Sequence, residues 1–140
     1  MSFDVSQELG DHDVTVETVD LVERGADLIV KVRVKFKDGE IGDKELYPLK
    51  SEKSAQICRK SLSAMGFSMD NQDLGDLQKN PAMLKGNVCR VVIEENEYKG
   101  NVSNRISWIN AIPKPAGKSL LAQAQAKLRN VKTQNAEESL

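Results

Sequence analysis

Lysine and arginine alternate with apolar residues along Val30-Lys31-Val32-Arg33-Val34-Lys35-Phe36-Lys37. In an extended chain successive side chains point to opposite faces, so Lys31, Arg33, Lys35 and Lys37 form one row while Val30, Val32, Val34 and Phe36 line a core. Four like charges on one sheet face repel one another, and a surface with no ligand more often mixes its signs. A polyanion laid along the strand removes that repulsion. The row is therefore a candidate phosphate-tracking face for nucleic acid, with a solvated lysine-rich strand as the plain alternative.

Binding a single strand without regard to sequence also needs flat faces on which bases stack. Aromatic residues make up only 4% of the chain, so the candidates are few. Tyr98 falls in a hairpin loop and is open to stacking or to simple hairpin packing. Tyr47, beside Pro48, is a second candidate platform. Trp108, the single tryptophan, shares strand parity with Ile106. That parity favours a core indole, and stacking on a base is the other reading. Arg105 and Ser107 then face outward, where Arg105 can meet phosphate. Phe36 follows the valines into the core.

Catalysis finds little support. His12 is the only histidine and lies in an acidic segment, so no Ser- or Cys-based triad can be assembled. Glu94, Glu95 and Glu97 gather near a turn, where a solvated hairpin end is the ordinary explanation and an acid–base or metal role the sharper one. The phosphate-cradling patterns GxxxxGK[ST] and GxGxxG are absent. Cys58 and Cys89 form no CxxC pair, which predicts reduced thiols in a cytosolic protein. No enzyme activity, cofactor or metal is expected.

Length and charge set the frame. A chain of 140 residues predicts one domain with a real core. Net charge is −1, but its distribution is uneven. Residues 1–27 hold eight acids and one base, residues 28–37 four bases and no acid, and residues 111–136 five bases and no acid. Such segregation builds local fields even when the sum is near zero. The opening Met1-Ser2-Phe3-Asp4 does not read as a signal peptide, and no stretch approaches the roughly 18 apolar residues of a membrane span. A soluble, cytoplasmic protein is expected.

Period-two patterns place strands from Asp13 to Leu21, from Leu28 to Lys37 and, irregularly, from Ile41 to Leu49, with turns at Arg24–Asp27 and Asp38-Gly39. The period changes at Ser51, a natural N-cap, and predicts a helix to Met65, stopped by Gly66. Residues 68–85 are turn-rich, with a short helical turn near Asp73–Lys79. Strands return over Asn87–Glu95 and Val102–Asn110, joined by a loop at 96–101. Residues 1–13 are expected as an acidic N-terminal arm, 14–113 as the folded domain, and 114–140 as a flexible C-terminal tail. The resulting order, β-β-β-α-β-β, is that of a five-stranded OB-fold Greek-key barrel, mainly β with one helix. The cationic row falls on its second strand, part of the face that such barrels use for oligonucleotides.

The closing hairpin, Val91-Val92-Ile93-Glu94-Glu95-Asn96-Glu97-Tyr98-Lys99-Gly100 followed by Asn104-Arg105-Ile106-Ser107-Trp108-Ile109-Asn110, resembles phage and prophage single-stranded DNA-binding proteins of OB-fold type associated with replication and recombination. The resemblance is clearest over residues 88–110. It implies a bacteriophage protein that binds single-stranded DNA without catalysis or metal, in the host-cell cytoplasm, with replication or recombination proteins as partners. RNA remains an alternative ligand, and the oligomeric state, a dimer included, is left open. The tip Ala136-Glu137-Glu138-Ser139-Leu140 is faintly similar to the acidic tails by which such proteins recruit partners. The expected nucleic-acid contacts are Lys31, Arg33, Lys35, Lys37, Tyr47, Tyr98, Arg105 and Trp108. The reading from a different class is a protein–protein adaptor on the same barrel, its basic strand matched to an acidic partner.

Overall fold

The computed structural model describes residues 3–113 and 115–138, with side chains described as far as residue 131. Its elements in chain order are β1 (Asp4–Val5), β2 (Gly10–Arg24), β3 (Asp27–Lys35), β4 (Ile41–Leu46), α1 (Glu52–Ala64), α2 (Leu74–Lys79), β5 (Val88–Tyr98), β6 (Asn101–Asn110) and α3 (Lys118–Glu138). The six strands form one antiparallel sheet in the order β1-β6-β5-β2-β3-β4. The sheet curls into a half-barrel, bringing β4 round to β1 and β6 at the far edge. It has six strands where five were expected, because two residues of the acidic arm pair with Arg105 and Asn104 of β6. Residues 10–13 of the same arm open β2.

The core lies inside the curl. Val14, Val16 and Val19 of β2, Val30, Val32 and Val34 of β3, Cys89, Val91 and Ile93 of β5, and Ile106 and Ile109 of β6 are all buried there. On β2 the spacing of inward residues jumps from two to three because a bulge inserts Glu17 between Val16 and Thr18. The extra residue is what lets Val14, Val16 and Val19 share one face. At this bulge β2 turns to the loop before β5 for its bonds. Val16 N–H donates to the Asn87 carbonyl at 2.8 Å, and Val19 N–H to that of Pro81 at 2.9 Å.

Helix α1 begins where its cap dictates. The Ser51 hydroxyl accepts from Ser54 N–H at 3.0 Å, satisfying one of the first-turn donors that have no partner within the helix. The helix buries Cys58, Ser61 and Leu62 and packs on β6 and β4. It ends at Gly66, whose φ of +97° is left-handed, and Asn87 Nδ2 donates to the Met65 carbonyl at 2.9 Å to fix that end. The short α2 carries a full capping box between Asp73 and Asp76 and packs on β2.

The open side is tied at one end. Ser6 N–H donates to both carboxylate oxygens of Glu40, at 3.0 and 2.9 Å, and the Gln7 amide donates to Asp38 and Glu40, each at 2.9 Å. Gly42 marks the tightest approach. A Cβ there would meet Phe36 at 2.9 Å, Ile106 at 3.1 Å and Val5 at 3.2 Å.

The last segment, expected as a flexible tail, is the helix α3, whose side chains from Lys118 to Val131 are all exposed. The acidic tip at 136–140 lies outside the residues whose side chains are described. Among the described residues, no helix is long and apolar enough to cross a membrane.

Candidate functional site

The row on β3 forms as the alternation predicts. Lys31, Arg33 and Lys35 stand on the outer face, opposite the buried Val30, Val32 and Val34. Lys37 lies just past the strand and is exposed, beside a hollow lined by Asp11, His12, Asp13, Phe36 and Arg90. The neighbouring strands alter the row's charge. Lys31 sits in register between Asp20 of β2 and Glu45 of β4. Arg33 makes a two-pronged pair with Asp43, Nε to Oδ1 at 2.8 Å and Nη2 to Oδ2 at 3.1 Å, which raises the guanidinium's pKa further. Asp43 is itself buried. Lys35 has Thr15 and Ile41 as register partners, neither of them an acid. The row is thus a mixed-charge face in which Lys35 has no acid in register, while Lys37 lies in the field of Asp13.

Arg105 is half-exposed and pairs with Asp4, Nε to Oδ1 at 2.7 Å, with Phe3 near its guanidinium. The pairing holds the Asp4 carboxyl below its ordinary value. Arg90 faces outward in a pair with Asp13 at 2.9 Å, and this guanidinium is the main reason the Asp13 carboxyl is held low.

The aromatics occupy different places. Tyr98 is 66% exposed at the last position of β5, before a two-residue turn of Lys99 and Gly100. Both turn residues have positive φ, 50° and 80°, the geometry of a tight type I′ hairpin, and the Lys99 amine lies over the tyrosine ring at 5.4 Å. Tyr47 donates its hydroxyl to Glu45 Oε1 at 2.8 Å, and the Lys50 amine sits 4.4 Å above its ring. That hydrogen bond leads the causes raising the phenol's pKa.

Trp108 corrects the parity reading. Ile106 pairs with Ile93 and Trp108 with Val92, so Ser107 is an extra residue in β6. The bulge reverses the alternation, sending Ile106 inward while leaving Trp108 45% exposed. Of the expected contact residues, Trp108 and Tyr47 come together in one cavity, Lys31 and Arg33 line another, and Tyr98 and Arg105 stand apart from both.

One residue of this region escaped the sequence pattern. On β4, Gly42 pairs with Val34, Lys44 with Val32 and Leu46 with Val30, so Lys44 occupies a core-facing position. It stands in the seam between β4 and β6, where no backbone ladder joins the strands. Burial lowers the pKa of its amine, and Glu94 opposes that shift. Lys44 opens onto a cavity of about 370 Å³ with Glu45, Leu46, Tyr47, Ser54, Ile57, Glu94, Ser107 and Trp108, and onto a second of about 610 Å³ towards Glu94, Glu95, Asn96 and Arg105.

Glu94, Glu95 and Glu97 lie on the outer part of the β5–β6 hairpin, and no cluster of His, Cys, Asp or Glu suited to a metal occurs among the described residues. Cys58 and Cys89 are buried free thiols, each pushed up to about 11 by desolvation. No protein-family model and no curated protein sequence matches this chain.

Proposed function

We propose that this protein binds single-stranded nucleic acid, DNA in the first place, without catalysis and on a barrel of the OB type. Its five long strands and α1 follow the OB connectivity, β2-β3-β4-α1-β5-β6, with β1 as an addition at the edge. Their order in the sheet, β6-β5-β2-β3-β4, with the β4–β6 seam left unladdered, supports the same reading. The observation that carries the reading is Trp108, a large flat ring that the Ser107 bulge turns out of the core. Water-exposed tryptophan costs apolar surface, and a base stacking on it recovers that cost.

Tyr98, at the end of β5 beside the hairpin turn, supports the same reading, and Lys35 supplies a cation with no acid in register. Because Asp43 already holds Arg33, the phosphate contact should be modest and the salt dependence shallow. A phage protein acting beside replication or recombination enzymes in the host cytoplasm fits this chemistry. Anisotropy of a labelled single strand, challenged with unlabelled single strand and with duplex, tests it. Single strand is expected to displace the label at lower concentration, and duplex competing equally well would refute the reading.

A second reading, an adaptor for another protein, is favoured by one observation. The acids of β2 and β4 in register with Lys31 and Arg33 make a mixed-charge surface of the kind that suits a protein partner. Absence of oligonucleotide binding at low salt would move the assignment to this class.

A further inference from the structure

Two parts of the chain show apolar surface outside the barrel core, and their charges are opposite. The first is α3, whose side chains from Lys118 to Val131 are all exposed. Leu121, Ala124, Leu128 and Val131 follow one another at spacings of three, four and three, so they form one stripe along the helix. Leu121, Leu128 and Val131 are each more than half exposed. Lys118 and Lys127 flank the stripe, and no acid occurs between residues 111 and 136. A helix without tertiary packing is marginal in water, so such a stripe calls for a partner. The second part is the end of the β5–β6 hairpin. β2 follows β5 only as far as Ile93, and β1 meets β6 only at Asn104 and Arg105, so residues 96–103 ladder only to one another. A two-stranded ribbon alone is marginal too. Glu95 and Glu97 share one face of it, with Asn104 and the exposed Val102 opposite them in register. The bases nearby are engaged with other groups. Arg105 pairs with Asp4, the Lys99 amine lies over the Tyr98 ring, and Lys44 is in the field of Glu94.

We propose that α3 of one copy of this chain docks on the acidic face of the β5–β6 hairpin of a second copy, its apolar stripe against Val102 and its lysines among Glu95 and Glu97. Charge decides the occupant. Two α3 helices packed on each other would set base beside base, whereas the hairpin offers acids around an apolar side chain. The two surfaces differ, so the contact closes as a dimer when both copies reciprocate and runs on as a chain when they do not. Tyr98 alternates with Glu97 and turns to the other face of the ribbon, which leaves it clear of the docked helix. The proposal goes beyond the strand-binding reading and stands without it.

Sedimentation velocity of the full chain over a range of concentrations, at low and at high salt, tests this. Wild-type protein should associate as its concentration rises, and high salt should weaken the association. Reversing the helix charges, Lys118→Glu with Lys127→Glu, should weaken it about tenfold or more, because like charges then face each other. Reversing the hairpin charges, Glu95→Lys with Glu97→Lys, should do the same. All four positions are exposed, so both variants should keep the fold. Mixing the two variants should restore association, since each surface then meets its opposite on the other chain. Adding Leu121→Ser and Leu128→Ser to the helix variant should abolish that rescue, which separates a seated contact from general attraction between oppositely charged proteins. A wild-type chain that stays monomeric throughout overturns the proposal. So does association that survives reversal of the hairpin, which would leave α3 to pair with its own copy. Variants that remain monomeric when mixed, or a rescue that persists without the two leucines, overturn it as well. Strand binding is measured separately, and none of these outcomes decides it.

Discussion

The two central cations of the β3 row should behave differently, although the sequence makes them look equivalent. Each phosphate contact on a single strand contributes about 0.7 to the slope of log affinity against log salt. Lys35, with Thr15 and Ile41 in register, is free to make such a contact. Lys35→Ser should flatten the slope by about 0.7, so a fourfold change in salt alters the ratio of wild-type to variant affinity by about 2.6-fold. Arg33 is held on Asp43 by bonds of 2.8 and 3.1 Å, so its charge is already matched before a strand arrives. Arg33→Ser should leave the slope nearly unchanged. It should instead cost stability, about 1 to 3 kcal/mol, because it takes the guanidinium from a buried carboxylate. Lys35→Ser, an exposed substitution, should stay within about 0.5 kcal/mol. Anisotropy titrations of a labelled oligonucleotide at several salt concentrations, with urea melts of each variant, measure both quantities. Equal flattening by the two substitutions would refute the reasoning, since it would mean that Arg33 leaves Asp43 when the strand binds.

Two further outcomes follow from the packing. Gly42→Ala places a methyl against Phe36, Ile106 and Val5 at 2.9 to 3.2 Å, and should cost about 1 to 3 kcal/mol in a urea melt, with an unchanged midpoint arguing against closure at this edge. Burial raises Cys58 and Cys89 from 9.0 to about 11, so below about pH 9 both states keep the thiols neutral and no stability is lost. As pH rises from 9.0 towards 11 the unfolded chain releases protons that the folded chain retains, and stability falls by up to about 2 to 3 kcal/mol per thiol. Cys89→Ala should weaken that alkaline decline, and an identical decline in the variant would place its origin elsewhere.

The strands that carry alternating apolar residues were legible because each could be judged alone. The row on β3 and the Ser51 cap of α1 both stand where the sequence puts them, and the turns at Gly25 and Gly39 carry the positive φ that their glycines allow. What depends on a second strand was not legible. The acids that balance Lys31 and Arg33 lie on β2 and β4, and only the register brings Asp20, Glu45 and Asp43 to them. Trp108 was assigned by simple alternation, which a single extra residue at Ser107 inverts. Lys44 was hidden because β4 reads Ile41-Gly42-Asp43-Lys44-Glu45-Leu46, with no run of apolar residues to reveal which face turns inward. Strand β1 is two residues long and exists only through its pairing with β6, so no local pattern announces it.

The most direct measurement is the fluorescence of Trp108 as single-stranded DNA is added to the full chain at low salt, with duplex of the same sequence titrated in parallel. A saturable change, reached at lower concentration with single strand and weakened progressively by salt, is the predicted result. No change with either nucleic acid, or an equal response to duplex, would contradict single-strand binding at this surface.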